Sequence, residues 1–109
     1  MEKQYKIINR EILDLIAPIG GCITTDKITV DGMPVNYMYR GLPYNDTDSG
    51  WRFFSGTEDQ DYLNDLTHSA VYDVNTIANY DQSIIPYLYS PTGTILERNK
   101  QGTFDIVAQ

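Results

Sequence analysis

Asp73, Asn75, Thr76, Asn79 and Asp81 stand within a single stretch of nine residues. Such a string of hydrogen-bonding side chains could line a ligand loop. The same residue types also cap short helices and tie loops to the backbone. A second stretch, Asp46-Thr-Asp-Ser-Gly50, has the oxygen donors of a calcium loop but not its register. An EF-hand wants ligands at positions 1, 3 and 5, Gly at 6 and Glu at 12. Counting from Asp46 puts Gly50 at 5 and Thr57 at 12, so a turn with Asx-type hydrogen bonds is the expectation. Cys22 and His68 are the sole cysteine and histidine, a nucleophile and base on paper only. They are too few for a zinc site of Cys and His ligands. No glycine pattern for a nucleotide loop occurs, and no metal or cofactor is expected.

Arg52 is the odd residue. It is the only base between positions 41 and 97, against nine acids: Asp46, Asp48, Glu58, Asp59, Asp61, Asp65, Asp73, Asp81 and Glu97. One reading is an ion pair that fixes a loop, with Asp48 or Asp73. The other is a contact residue at the centre of a binding patch, where Arg and Trp are enriched. The flanking segments sum to 0 and +1, so this middle stretch, at −8, carries the whole excess behind the net charge of −7. A negative chain is a poor nucleic-acid ligand, and no apolar run is long enough to span a bilayer. The residues after Met1 form no apolar signal core. A reduced, cytoplasmic protein is the expectation. Nine tyrosines among 109 residues suit an interaction surface, since Tyr offers area and a polar tip at low entropy cost.

These residues need positioning by elements. Ile8, Ile12, Leu15 and Ile16 predict a helix over 5–17, ended by Pro18 and Gly20. Lys27–Val30, Asp31-Gly32 and Met33–Arg40 read as a hairpin. Trp51–Phe54 reads as a short strand between glycines, and Thr57–Gln60 matches a capping box. Val71–Val74 reads as a strand, 75–81 as a helical turn, and Ser83 as the cap of another. Thr94–Arg98 and Thr103–Val107 alternate as two strands. The sum is one α+β domain over 1–109. It would have an antiparallel sheet, an N-terminal helix and short helices on one side.

Several strings are distinctive: Ile28-Thr-Val-Asp-Gly32, Met38-Tyr-Arg40, Asp48-Ser-Gly-Trp-Arg-Phe-Phe-Ser-Gly56 and Asp73-Val-Asn-Thr-Ile-Ala-Asn-Tyr-Asp81. Ser83-Ile-Ile-Pro-Tyr-Leu88, Pro91, Gly93 and Glu97-Arg98 follow in order. Together they resemble the immunity protein 33 family, earlier catalogued as a domain of unknown function. The resemblance covers about 21–107. It departs from the family's usual pattern at Asn36, Gly41, Tyr89 and Thr92–Thr94, in loops and along the acidic rim. It implies a bacterial immunity protein of a polymorphic toxin system, which binds and neutralises a toxin, and it carries no catalytic residues.

The combined expectation is a non-enzymatic binding protein with a protein partner, such as a basic toxin domain. Tyr44, Asp46, Asp48, Trp51, Arg52, Asp59 and Asp61 would form the partner surface. The alternative is a small ligand- or metal-binding domain, or an uncharacterised enzyme, using the Asp73–Asp81 loop.

Overall fold

The computed structural model describes residues 3–108. Six strands form one sheet: β1 (Gly21–Thr25), β2 (Tyr37–Arg40), β3 (Asp48–Phe54), β4 (Ser69–Asp73), β5 (Ile95–Arg98) and β6 (Phe104–Ala108). Their order is β4-β1-β3-β2-β5-β6. The expected antiparallel pairing holds everywhere except between β1 and β3, which run parallel. Three short α-helices, α1 (Asp26–Thr29), α2 (Gln60–Asn64) and α3 (Val74–Tyr80), and a 3₁₀ helix at Gln82–Tyr87 complete an α+β domain.

The pleat sorts side chains by rung. Thr24, Phe53, Met38 and Leu96 are successive partners across β1, β3, β2 and β5, and all are buried. Trp51 and Cys22 join them. Ile28 from α1, Val74 and Ile77 from α3, Ile84 from the 3₁₀ helix and Leu88 at its end close over this face as one apolar cluster. The next rung, Val71, Ile23, Arg52, Tyr39 and Ile95, points the other way. There Val71 is 73% exposed and Ile23, Tyr39 and Ile95 are half-buried. α1, α3 and the 3₁₀ helix thus layer one face only, and the other stays open, bordered by Leu63 of α2.

Two expected elements are replaced by others. The segment 5–17 is not a helix. It holds a single 3₁₀ turn, Asn9–Glu11, with Ile8 at its cap position. The apolar spacing was present, but four β-branched isoleucines (7, 8, 12 and 16) and the missing cap weaken helix formation. The segment instead binds α3 through side-chain-to-backbone hydrogen bonds. The Asp31-Gly32 hairpin is also absent. Lys27–Thr29 lie in the single turn of α1, and Gly32, at φ 77°, turns the chain out of it. The N–H groups of Gly32 and Met33 donate back to the carbonyls of Ile28 and Lys27 at 3.1 and 2.9 Å. A helix exit and a type I′ turn both need positive φ, so Asp-Gly serves either. Burying Ile28 completely decides for the helix.

Caps are shifted too. Asp59, not Thr57, caps α2, accepting from the Tyr62 N–H at 2.8 Å. Asp81, not Ser83, caps the 3₁₀ helix.

Candidate functional site

Ser49 and Gly50 make a bulge at the start of β3. Two steps on β1, Gly21 to Ile23, face four on β3, Asp48 to Arg52. Gly50 takes φ 90°, and its carbonyl accepts from the Gly41 N–H at 2.9 Å. The shortened strand lets Arg52 reach back to Asp48. Nη1 and Nη2 donate to the two carboxylate oxygens at 3.0 and 2.7 Å. The same carboxylate accepts from the backbone N–H groups of Tyr44 and Gly50, at 2.8 and 3.0 Å. Arg52 Nη1 also donates to the Trp51 carbonyl at 2.8 Å. The guanidinium beside Asp48 holds that carboxyl well below the usual carboxylate range, and Asp48 in turn raises Arg52. Arg52 is only 5% exposed.

Tyr44 lies over this pair, its ring centroid 4.7 Å from the guanidinium carbon, yet it is 78% exposed. Asn45 ties the loop internally, accepting from the N–H and hydroxyl of Thr47 at 3.0 and 2.8 Å. This is the expected Asx turn, and Asp46 projects from it exposed. Of the two readings of Arg52, the geometry is that of an ion pair with Asp48 that holds the loop.

The surface residues expected from the sequence are therefore divided. Tyr44, Asp46, Asp48 and Arg52 come together at one end of β3. Asp59 and the exposed Asp61 follow its other end. The seven residues of β3 put about 20 Å between those ends. Trp51 is corrected. It is 0% exposed, on the core face, with its indole Nε1 donating to the Leu88 carbonyl at 3.0 Å. Strand alternation puts Arg52 on one side and Trp51 on the other, so both cannot face a partner.

Between the two acidic ends runs an aromatic strip that the sequence reading missed as a unit. Tyr39 and Phe54 stack at 5.9 Å and 15°, and Tyr37 lies 6.3 and 5.7 Å from them. The three rings floor an open groove of about 750 Å³, bounded by Ser55–Glu58 and Leu63 on one side and Glu97 on the other. The alternation Tyr37-Met-Tyr39 was the available signal. Met38 turned inward identifies the two tyrosines as outward.

Most of the Asp73–Asp81 string is tied into the fold. Asp73 caps α3, accepting from the Asn75 N–H at 3.1 Å. Asn75 Oδ1 accepts from the N–H groups of Leu15 and Ile16 at 2.8 and 3.2 Å, and its Nδ2 donates to the Leu13 carbonyl at 2.8 Å. Asn79, one turn on, brackets Leu13: Oδ1 accepts from its N–H and Nδ2 donates to its carbonyl, both at 2.9 Å. Asp81 receives the Val35 N–H at 3.0 Å and Arg98 Nη2 at 2.7 Å. Thr76 is half-buried on the same helix. These groups fasten the N-terminal segment and the 3₁₀ helix, and Asp73 and Asn75 also line a cavity of about 280 Å³ with Asp14, Ile16 and Pro18. No cluster of three metal-binding side chains occurs among the described residues.

Cys22 and His68 are not a dyad. Burial pushes the Cys22 thiol up to about 12, so it stays protonated at neutral pH. His68 stacks on Tyr62 at 4.1 Å, with Nδ1 2.8 Å from the Tyr62 carbonyl. Among the described residues no helix is long and apolar enough to cross a membrane.

Comparison with known proteins agrees with the strings singled out above. No curated protein and no solved structure matches this chain. Residues 22–108 match the model described as the Immunity protein Imm33 domain. That span takes in all six strands of the sheet except the first residue of β1, and leaves out residues 1–21 and 109. With its sheet, core and open face inside the match, the chain belongs to the Imm33 immunity protein family.

Proposed function

We propose that this protein neutralises a cognate toxin by stoichiometric binding in the cytoplasm, without catalysis, through the open face of its sheet. The observation that carries this reading is the exposed Tyr44, held in place by the buried Arg52–Asp48 pair at the end of a face that no helix layer covers. A pre-positioned aromatic avoids most of the ordering cost of association. Asp46 at one end and Asp61 at the other would steer a basic toxin domain toward the aromatic strip between them. In this reading Tyr44, Asp46 and Asp61 touch the partner, while Asp48, Arg52 and Asp59 position the loop and α2.

The test pairs the protein with a candidate toxin encoded next to its gene, by co-expression and by calorimetry. A one-to-one complex and cell survival are expected. Tyr44→Ala with Asp46→Lys and Asp61→Lys should abolish protection while leaving the fold intact. Full protection by the folded triple variant would remove this face from the mechanism, and absence of any complex would remove the toxin.

A further inference from the structure

The rung at the far side of the groove places two carboxylates side by side. Phe54, Tyr37, Glu97 and Asp105 are successive partners across β3, β2, β5 and β6, so their side chains share the open face. Like charges directly opposite on paired strands are destabilising. Among the described residues, no cation lies within ion-pair distance of Glu97 or Asp105. Asp105 accepts one hydrogen bond, from Asn99 Nδ2 at 3.0 Å. Arg98, the base beside them, is engaged elsewhere. It pairs with Asp81 at 2.7 Å, donates to the carbonyls of Val35 and Gly102, and lies over the Phe104 ring.

Glu58, across the groove, is also engaged, receiving the Thr25 hydroxyl and the N–H groups of Ser55 and Gly56. The groove therefore joins its aromatic floor to Glu97, which lines it, and Asp105 stands beside Glu97 on the next strand; neither carboxylate has a cation among the described residues. A guanidinium satisfies both parts. It is planar and weakly hydrated, stacks on ring faces, and presents parallel N–H donors to carboxylates. An ammonium offers only a strongly hydrated point charge.

We infer that this groove receives an arginine side chain of the protein partner, its guanidinium lying on Tyr37 and Phe54 with its N–H groups toward Glu97 and Asp105. The assignment rests on the proposed toxin-binding role and names the chemistry at one part of that surface. The probe is a short blocked peptide carrying one arginine, titrated into the isotope-labelled protein and followed by NMR. Two counterparts replace that arginine with citrulline, uncharged but of the same shape, and with lysine.

Saturable shifts at the amides of Tyr37, Phe54, Glu97 and Asp105 are expected with arginine. Binding should be about tenfold weaker with lysine and lost with citrulline. Glu97→Gln with Asp105→Asn should weaken the arginine peptide about tenfold, and so should Tyr37→Leu, which keeps apolar bulk but removes the ring. Glu97 and Asp105 are exposed and Tyr37 is half-buried, and the spectrum itself reports whether each variant keeps the fold. Equal binding of the citrulline or lysine peptide, or unchanged binding by the double variant, overturns the arginine assignment. The titration contains no toxin, so the two readings fail separately. Protection without arginine binding removes the groove's role, whereas arginine binding without a toxin complex removes the toxin as its source.

Discussion

Arg52 grips Asp48 with two hydrogen bonds although the two residues are four apart on one strand. In a straight strand that spacing is about 13 Å, beyond bidentate reach. The bulge at Ser49–Gly50 closes the gap, and the pair then carries Tyr44 on its outer side. Sheet irregularity, ion pair and exposed aromatic are one construction. Removing one partner of a buried pair leaves the other charge uncompensated, at a cost of about 3–5 kcal/mol. Arg52→Ala and Asp48→Ala should both fall in that range. Asp48→Ala should be the worse, because it also strands the N–H groups of Tyr44 and Gly50. Urea unfolding followed by the fluorescence of Trp51, the only tryptophan, measures both. A loss below about 1 kcal/mol in either would mean that the pair contributes no more than a surface salt bridge.

Asp48 also sets an acid limit. Its carboxyl is depressed chiefly by the hydrogen bonds from Arg52. Glu58 is depressed as well: burial alone would raise it, but the Thr25 hydroxyl and the Ser55 N–H outweigh burial. A carboxyl whose folded pKa lies below its unfolded value binds fewer protons when folded. Its stabilisation is complete above the unfolded value, about 4, and is lost as pH falls toward the folded one. Stability should therefore change little through these groups between pH 6 and 8 and drop steadily below about pH 4. Asp48→Asn should flatten the acid limb of a plot of urea midpoint against pH. An unchanged slope in that variant would place the acid sensitivity elsewhere.

What could be read from the residues, and what could not, follows from the range of the deciding interactions. β3, β4, α3 and the β5–β6 hairpin announced themselves through local alternation, caps and turn residues. The Arg52–Asp48 pair was one of two partners that a lone base among acids left open. Choosing it required the bulge, which depends on parallel pairing with β1, some 30 residues earlier in the chain. The N-terminal helix failed for the same reason. Its apolar spacing was visible, but the competing contacts come from Asn75, Asn79 and Tyr80, more than 50 residues away. The aromatic groove needs Tyr37, Phe54 and Glu97 from three strands in register, which no local window contains.

That long-range fastening makes its own prediction. Asn79 brackets the backbone of Leu13 as a neighbouring strand would, and Asn75 Oδ1 accepts the N–H groups of Leu15 and Ile16. Each side chain replaced should cost about 1–2 kcal/mol. Asn79→Ala should speed hydrogen exchange at Leu13 selectively, and Asn75→Ala at Leu15 and Ile16. The open sheet face should keep its binding in both variants. If either variant instead abolished a partner or ligand without changing exchange at 13–16, the string would be a binding loop after all.

Gly50 tests whether the bulge, rather than the charge pair alone, builds the surface. At φ 90° an L side chain is strained, and a Cβ there would sit 2.2 Å from the Gly41 carbonyl oxygen. Neither of these backbone segments can yield without breaking the contact between Gly41 and Gly50. Gly93 is the control. It takes a similar φ of 98°, but a Cβ there meets nothing within 4 Å. Gly93→Ala should cost only the backbone term, about 1–2 kcal/mol. Gly50→Ala should cost at least twice that and should release Tyr44, seen as exchange broadening of its ring signals by NMR. Because Asp48 and Arg52 are untouched, loss of Tyr44 ordering in this variant would trace the loop's position to the glycine. Equal costs at the two glycines, with Tyr44 still ordered, would show that the ion pair holds the loop without the bulge.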